Sequence, residues 1–267
     1  MTRHLIRFIL AAAAAAAAAA APVHAIELTE RNTQEAALLR AYPHIAIRDA
    51  RGLTILRDGR PVARFHNVHE TQCQGNDTCS IWWLEGVLRL GTGSDRRTYA
   101  EVFHSNGEGS EIMLIGDDGD PLVFDDPLMP SPDGRYAATG VTSGLEDAYL
   151  SIIDWTSPGH RLTATFGRLT GCIPLNWEGP DAFRAICDHE KSQTHYSFAT
   201  VRRTGDGTWQ LTETGTIDWQ TRQPAADADF VPRLDTAQAA VPPAKSAERT
   251  AGEAAYFKRD GYEKLKN

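Results

Sequence analysis

Few side chains in this chain combine in patterns that could do chemistry. His104 and Glu108 sit in or beside the polar stretch Asn106-Gly107-Glu108-Gly109, and His189 and Glu190 sit in a similar stretch that runs on to Lys191 and Ser192. If the two stretches occupy equivalent places in neighbouring structural units, their imidazoles and carboxylates could converge into an acid–base site of the hydrolase or lyase type. His189-Glu190 with His195 is not a zinc-hydrolase motif. That motif needs its second histidine four residues after the first, on one helix face, and here the gap is six in a strand–turn–strand context. His66, His69 and Glu70 could offer a metal two imidazoles and a carboxylate, but they read more simply as a polar loop after a strand. Asp117, Asp118, Asp120, Asp125 and Asp126 form an acidic run without the alternating ligands and closing glutamate of a calcium loop, which favours a solvated turn. There is no Gly-x-Ser-x-Gly nucleophile elbow, no phosphate-cradling Gly-Lys-Ser/Thr loop and no dinucleotide fingerprint. The sequence therefore predicts neither a metal nor a cofactor.

The elements that must position these residues begin after an export signal. Arg3, His4 and Arg7 precede an apolar run with eleven consecutive alanines, Ala11 to Ala21, and the small-residue stop Val23-His24-Ala25. This is the three-part pattern of a secretory leader cleaved after Ala25. A run of weakly apolar alanines ending at Pro22 is short of the roughly 20 residues that span a bilayer. Export predicts a periplasmic or secreted protein with no membrane insertion after cleavage. The mature chain of 242 residues would carry 25 basic and 35 acidic groups, a net charge of −10, which argues against nucleic acid as a partner.

In an oxidising compartment Cys73, Cys79, Cys172 and Cys187 read as two disulfides. The favoured pairing is Cys73–Cys79 around a polar loop, with Cys172–Cys187 tying neighbouring segments. The spacings do not suit a four-thiolate zinc site.

Residues 26–43 predict a short helical lead-in, with Thr29 as N-cap and Pro43 as stop. From 44 to 222, short runs rich in Val, Ile, Tyr, Phe, Trp and Thr alternate with Gly, Asp, Asn and Pro, which is strand-and-turn punctuation. One rhythm recurs about every 40 to 45 residues: strand, polar interruption, strand, tight Gly turn, strand. The predicted class is all-β, in repeated antiparallel meander units that are β-propeller-like and either closed or open. Residues 223–267 predict a flexible, linker-like tail with a short terminal helix over 247–264. Of the six tryptophans, Trp82 and Trp83 are adjacent and must point to opposite faces of a strand, so packing between sheets is their expected role rather than a binding platform.

Ser131-Pro132-Asp133-Gly134-Arg135-Tyr136, followed by a strand from Ala148 to Trp155 that ends Ile153-Asp154-Trp155, resembles the repeat of TolB-type, WD-repeat-like propellers. The resemblance covers Ser131 to Phe166 and implies a propeller-like sheet array. With no catalytic constellation in the sequence, the leading expectation is a non-catalytic binding or assembly protein that meets a protein or glycan partner in the cell envelope.

Overall fold

Among the described residues, eighteen strands, all paired antiparallel, one α-helix and a single 3-10 turn at Gly93–Asp95 build the molecule. The computed structural model describes residues 23–67, 80–106, 109–141, 149–156, 161–166, 171–188, 195–218, 223–225, 231–237 and 261–265. The strands form four sheets. Sheet A holds β1 (Ala46–Asp49), β2 (Gly52–Arg57) and β3 (Arg60–Phe65), and sheet B holds β4 (Ser80–Leu90), β5 (Arg97–Asn106), β6 (Gly109–Ile115) and β7 (Pro121–Phe124). Sheet C holds β8 (Met129–Pro130), β9 (Tyr136–Val141), β10 (Tyr149–Asp154) and β11 (Arg161–Thr165). Sheet D holds β12 (Cys172–Gly179), β13 (Ala182–Asp188), β14 (His195–Arg203) and β15 (Trp209–Asp218), with β16 (Gln223–Ala225) and β17 (Leu234–Thr236) both pairing β15. The fold is all-β with a short N-terminal helix, as the sequence predicts. The polar interruptions fall between the second and third strands of sheets B, C and D, and the tight turns fall between the third and fourth.

Turn chemistry explains the punctuation. Asp58 (φ 51°) and Gly59 (φ 75°) form the two-residue hairpin turn that joins β2 to β3, both in the left-handed region that such turns require. Ser131-Pro132-Asp133-Gly134 turns β8 into β9. Asp133 Oδ1 accepts from Ser131 Oγ at 2.7 Å and from the Arg135 amide at 3.0 Å, while Ser131 Oγ accepts from the Tyr136 amide at 3.0 Å. Gly134 sits at φ +76°, where a Cβ would stand 2.8 Å from the Arg89 carbonyl oxygen, and its own carbonyl accepts from the Gly91 amide at 2.7 Å. The turn thus keys sheet C to sheet B.

Three apolar clusters fill the seams. Leu53, Ile55, Phe65, Trp82, Val102 and Met113 are buried between A and B; Tyr99, Leu114, Leu128, Ile153 and Trp155 between B and C; Phe166, Phe183, Val201, Trp209 and Leu211 between C and D. The sheets therefore follow one another in chain order, and the first strands approach each other, β4 to β8 and β8 to β12.

Helix α1 runs Val23–Ala41 and packs on β4 and β1. It starts six residues before Thr29, so Thr29 lies inside it. Nothing between Val23 and Glu30 breaks a helix, and Ile, Glu, Leu and Ala there propagate one. Glu35 on this helix accepts from Arg48 Nε and Nη2, both at 2.7 Å, and from the Leu84 amide at 2.8 Å. Arg48 also donates to the Trp82 carbonyl at 2.6 Å, and the Trp82 amide donates to Asn67 Oδ1 at 3.0 Å. The edge of β4 that no described strand covers is satisfied by side chains instead.

The end of the chain departs from expectation. Tyr262–Lys264 is a strand, β18, paired to the outer edge of β3, not the end of a helix. Gly261 at φ +99° breaks any helix there, since a Cβ would clash with the His66 carbonyl oxygen, and Tyr262 then packs on Phe65 with ring centroids 5.4 Å apart. The C-terminal strand is thereby added to the N-terminal sheet. The rest of the predicted terminal helix, over 247–260, lies outside the described residues, as does the leader through Pro22. No described helix is long and apolar enough to cross a membrane.

Candidate functional site

Antiparallel pairing sends alternate strand ends to opposite ends of each sheet. β4 starts, β5 ends, β6 starts and β7 ends at one end of sheet B, and linker 125–128 carries the chain from there to β8; at the corresponding end of sheets C and D, Tyr149 pairs with Val141, Thr165 with Ser151 and Cys172 with Cys187. Ser80, Asn106, Tyr149, Asp188 and His195 therefore border one common end of the array, which we call the loop end. The strand ends that flank the interruptions singled out in the sequence all lie there.

At this end, sheet B carries a buried polar chain. His104 on β5 faces Glu111 on β6 as a direct cross-strand pair and Trp82 on β4 as another. Ser80 Oγ lies 2.8 Å from His104 Nε2, and Glu111 Oε2 lies 3.5 Å from Nδ1. The imidazole stacks on Trp82, with centroids 3.8 Å apart and planes 13° off parallel, and Trp82 in turn packs on Phe65 at 4.8 Å. Hydroxyl, imidazole and carboxylate thus follow the order of an activated serine. Ser80 is 3 % exposed and His104 1 %, so the hydroxyl faces the A–B seam rather than solvent. As placed, the chain braces the seam with satisfied hydrogen bonds.

A second group of polar residues fixes the linker between sheets B and C. Tyr149 donates to Asp126 Oδ2 at 2.9 Å, Thr139 donates to the Asp126 carbonyl at 3.3 Å, and the Leu128 amide donates to Glu101 Oε1 at 3.4 Å. Burial raises the Asp126 carboxyl above the usual range. It also raises the Tyr149 phenol, with help from the neighbouring Asp126 charge. Burial pushes Glu101 up to about 7, opposed by the Leu128 amide and reinforced by Glu85. On sheet D, buried Ser197 donates to Glu213 at 2.6 Å, and Glu213 holds Arg233 at 3.0 Å.

Of the four acid–base candidates, His104 lies in the A–B seam, while Glu108, His189 and Glu190 fall outside the described residues. His66 pairs with Glu263 on β18 at 3.9 Å; His69 and Glu70 lie outside the described residues, as do Cys73 and Cys79. Cys172 and Cys187 are directly opposite each other on β12 and β13 and form a buried disulfide with a Cα–Cα distance of 4.0 Å.

The acidic run is split by β7. Asp117 pairs with Arg57 at 3.3 Å and Arg97 at 3.4 Å, and Asp120 pairs with Lys264 at 2.6 Å, whereas Asp125 and Asp126 lie at the loop end. Among the described residues no group of three or more His, Cys, Asp or Glu is placed to hold a metal. Trp82 and Trp83 do take opposite faces, Trp82 against Phe65 and His104 and Trp83 against Phe103.

Ser80 and Glu111 were not singled out from sequence, yet one signal pointed to Glu111. Asn106 and Gly109 close the hairpin, so counting two residues out along each strand sets His104 opposite Glu111. Glu35, Arg48 and Glu101 carried no local signal. Comparison with protein-family models, curated proteins and solved structures finds no match.

Proposed function

We propose that the chain is an exported, non-catalytic binding or assembly protein of the periplasm or cell surface. Its braced, propeller-like sheets present the loop end to a protein or glycan partner of the cell envelope. One observation carries this reading: the strand ends that flank the breaks in the strand rhythm all border one end of the array. The anchors beneath that end are the Cys172–Cys187 disulfide, the Ser80–His104–Glu111 chain and the Asp126–Tyr149 bond. Rigid sheets that carry variable connections at one end are a common binding design, and they limit the ordering cost of association. The leader and the excess of acidic groups suit an envelope partner that is neither nucleic acid nor anionic lipid. An affinity pull-down of the mature protein from its own envelope fraction tests the reading. A stoichiometric partner supports it, and recovery of the bait alone argues against it.

A second reading, a hydrolase, is favoured by the Ser80–His104–Glu111 order alone. A fluorophosphonate probe that labels the wild type at Ser80 and fails to label Ser80→Ala would support it. No labelling at Ser80 would reject it.

A further inference from the structure

The C-terminal strand meets the rest of the molecule as a ligand meets a receptor. On β18, Tyr262 pairs with Phe65, Glu263 with Arg64 and Lys264 with Ala63. The His66 amide donates to the Gly261 carbonyl at 2.9 Å and the Leu265 amide to the Val62 carbonyl at 3.0 Å, so the ladder runs one residue past each end of the strand. Its residues are read one by one. At Gly261 a Cβ would stand 2.3 Å from the His66 carbonyl oxygen, so only glycine fits. Tyr262 and Lys264, two residues apart in a strand, share a face. There Tyr262 packs on Phe65 and donates to the Gly119 carbonyl at 2.7 Å, and Lys264 pairs with Asp120 at 2.6 Å. Glu263 lies on the other face, 3.9 Å from His66.

Gly119 and Asp120 belong to the turn between β6 and β7, so the receptor has two parts: a backbone edge from sheet A and side-chain seats from sheet B. That turn is fixed without β18. Asp117 pairs with Arg57 at 3.3 Å and Arg97 at 3.4 Å, and Arg57 donates to the Thr98 and Ile115 carbonyls at 3.0 and 2.6 Å. Gly119 has φ +75°, and a Cβ there would stand 2.5 Å from the Val62 carbonyl oxygen, so the turn lies directly on β3. The strand's own stake is smaller. Tyr262 is its inserted side chain, whereas the side chains of Lys264 and Glu263 are 46 % and 57 % exposed. Residues 238–260 separate it from β17 on sheet D, and chain ends are where local opening costs least.

We propose that the outer edge of β3, together with turn 117–120, is a strand-acceptor site for an extended segment of a partner protein with the pattern glycine, aromatic, any residue, basic, and that residues 261–265 occupy it as an intramolecular competitor. In strand addition the main-chain bonds supply affinity and alternate side chains supply specificity. Here the glycine lies against His66, the aromatic residue on Phe65 and the cation on Asp120. The chain's own strand is tethered and acts at an effective concentration on the order of 1 mM, so an incoming segment takes the edge only when that strand is weakened or outbound. The site runs along one edge of sheet A and does not rest on the loop-end reading.

The test is fluorescence anisotropy of a labelled peptide spanning residues 258–267, titrated with the mature, oxidised, full-length protein. Lys264→Asp in the protein sets like charges against each other at Asp120 and leaves the acceptor untouched. This variant should bind the native peptide saturably and about tenfold more tightly than the wild type does, and the peptide carrying Gly261→Ala or Tyr262→Ala should lose about tenfold. A folded Lys264→Asp protein that shows no saturable binding, that binds no better than the wild type, or that binds the Gly261→Ala peptide equally well would overturn the proposal. If Lys264→Asp does not fold, Asp120→Lys serves instead. It also repels the chain's own Lys264, and it should prefer the peptide carrying Lys264→Asp over the native peptide; no preference would count against Asp120 as a seat and overturn the site. A negative peptide result leaves the envelope pull-down untouched, so the two readings fail separately.

Discussion

Removing the carboxylate of Glu35 should be among the most damaging single changes available outside the apolar core. The perturbation is Glu35→Ala. It deletes the acceptor of three hydrogen bonds, two from the Arg48 guanidinium at 2.7 Å and one from the Leu84 amide at 2.8 Å. The Glu35 side chain is 6 % exposed and that of Arg48 24 %, so the pair is only partly screened by water. Breaking a buried pair from one side costs about 3–5 kcal/mol, and the partial exposure of Arg48 puts this case near the lower limit, about 3 kcal/mol. The stranded Leu84 amide adds about 1 kcal/mol or more, because a buried donor loses its partner. Alanine keeps helix propensity, so backbone effects on α1 do not confuse the result. The assay is equilibrium urea unfolding of the mature, oxidised protein followed by tryptophan fluorescence. With a denaturant slope of about 3 kcal/mol/M, the midpoint should fall by about 1 M with the slope unchanged. Glu35→Gln, which keeps an acceptor for Leu84, should lose roughly half as much. In the double variant Glu35→Ala/Arg48→Ala the losses should be far from additive, since each single change strands the other partner. A loss below about 1 kcal/mol in Glu35→Ala, or additive losses in the double variant, would refute the view that this pair closes the edge of β4.

Other changes test other parts of the account. Glu101 sets a pH dependence of known sign. Its folded-state pKa of about 7 lies above the usual 4.5, so the folded protein holds a proton that the unfolded chain has lost. Its contribution is full below about pH 4.5 and fades as pH rises to about 7, a fall of about 3 kcal/mol in all. Unfolding midpoints measured between pH 5 and 8 should show this slope in the wild type and lose it in Glu101→Gln. Gly134→Ala forces a Cβ into the left-handed region and to 2.8 Å from the Arg89 carbonyl; it should cost about 2 kcal/mol by thermal unfolding, and a neutral result would contradict the keying of sheet C to sheet B. Opening the Cys172–Cys187 disulfide by replacing both cysteines with alanine should cost about 3 kcal/mol for its 15-residue separation, read as a lower unfolding midpoint than the oxidised wild type. Tyr149→Phe removes the donor to Asp126 and should cost about 1 kcal/mol, leaving the Cys172–Cys187 disulfide intact on a mass-spectrometric thiol count.

What was legible in the sequence was local. Asp58-Gly59 and Ser131-Pro132-Asp133-Gly134 announce turns because their conformations suit few other residues, and the β-branched and aromatic runs between them can be little but strands. Cys172 and Cys187 were readable as a pair because only one hairpin separates them. The remainder depends on which residues meet at long range. Asp117 and Asp126 are near in sequence yet lie at opposite ends of β7. Glu35 and Leu84 are 49 residues apart and meet only because α1 lies on β4. The segment around Tyr262 reads as helix from its Ala, Glu and Lys composition, but pairing with β3 overrides that preference. Ser80 became visible beside His104 only through the diagonal register of β4 on β5.

Site-specific cross-linking in the native envelope tests the central claim most directly. A photoreactive residue in place of Ser110, exposed at the loop end, is compared with one in place of Asp206, exposed in the turn between β14 and β15 at the opposite end. The account predicts a discrete, saturable adduct from position 110 and none from position 206. Equal adducts from both positions, or an adduct from 206 alone, would contradict it.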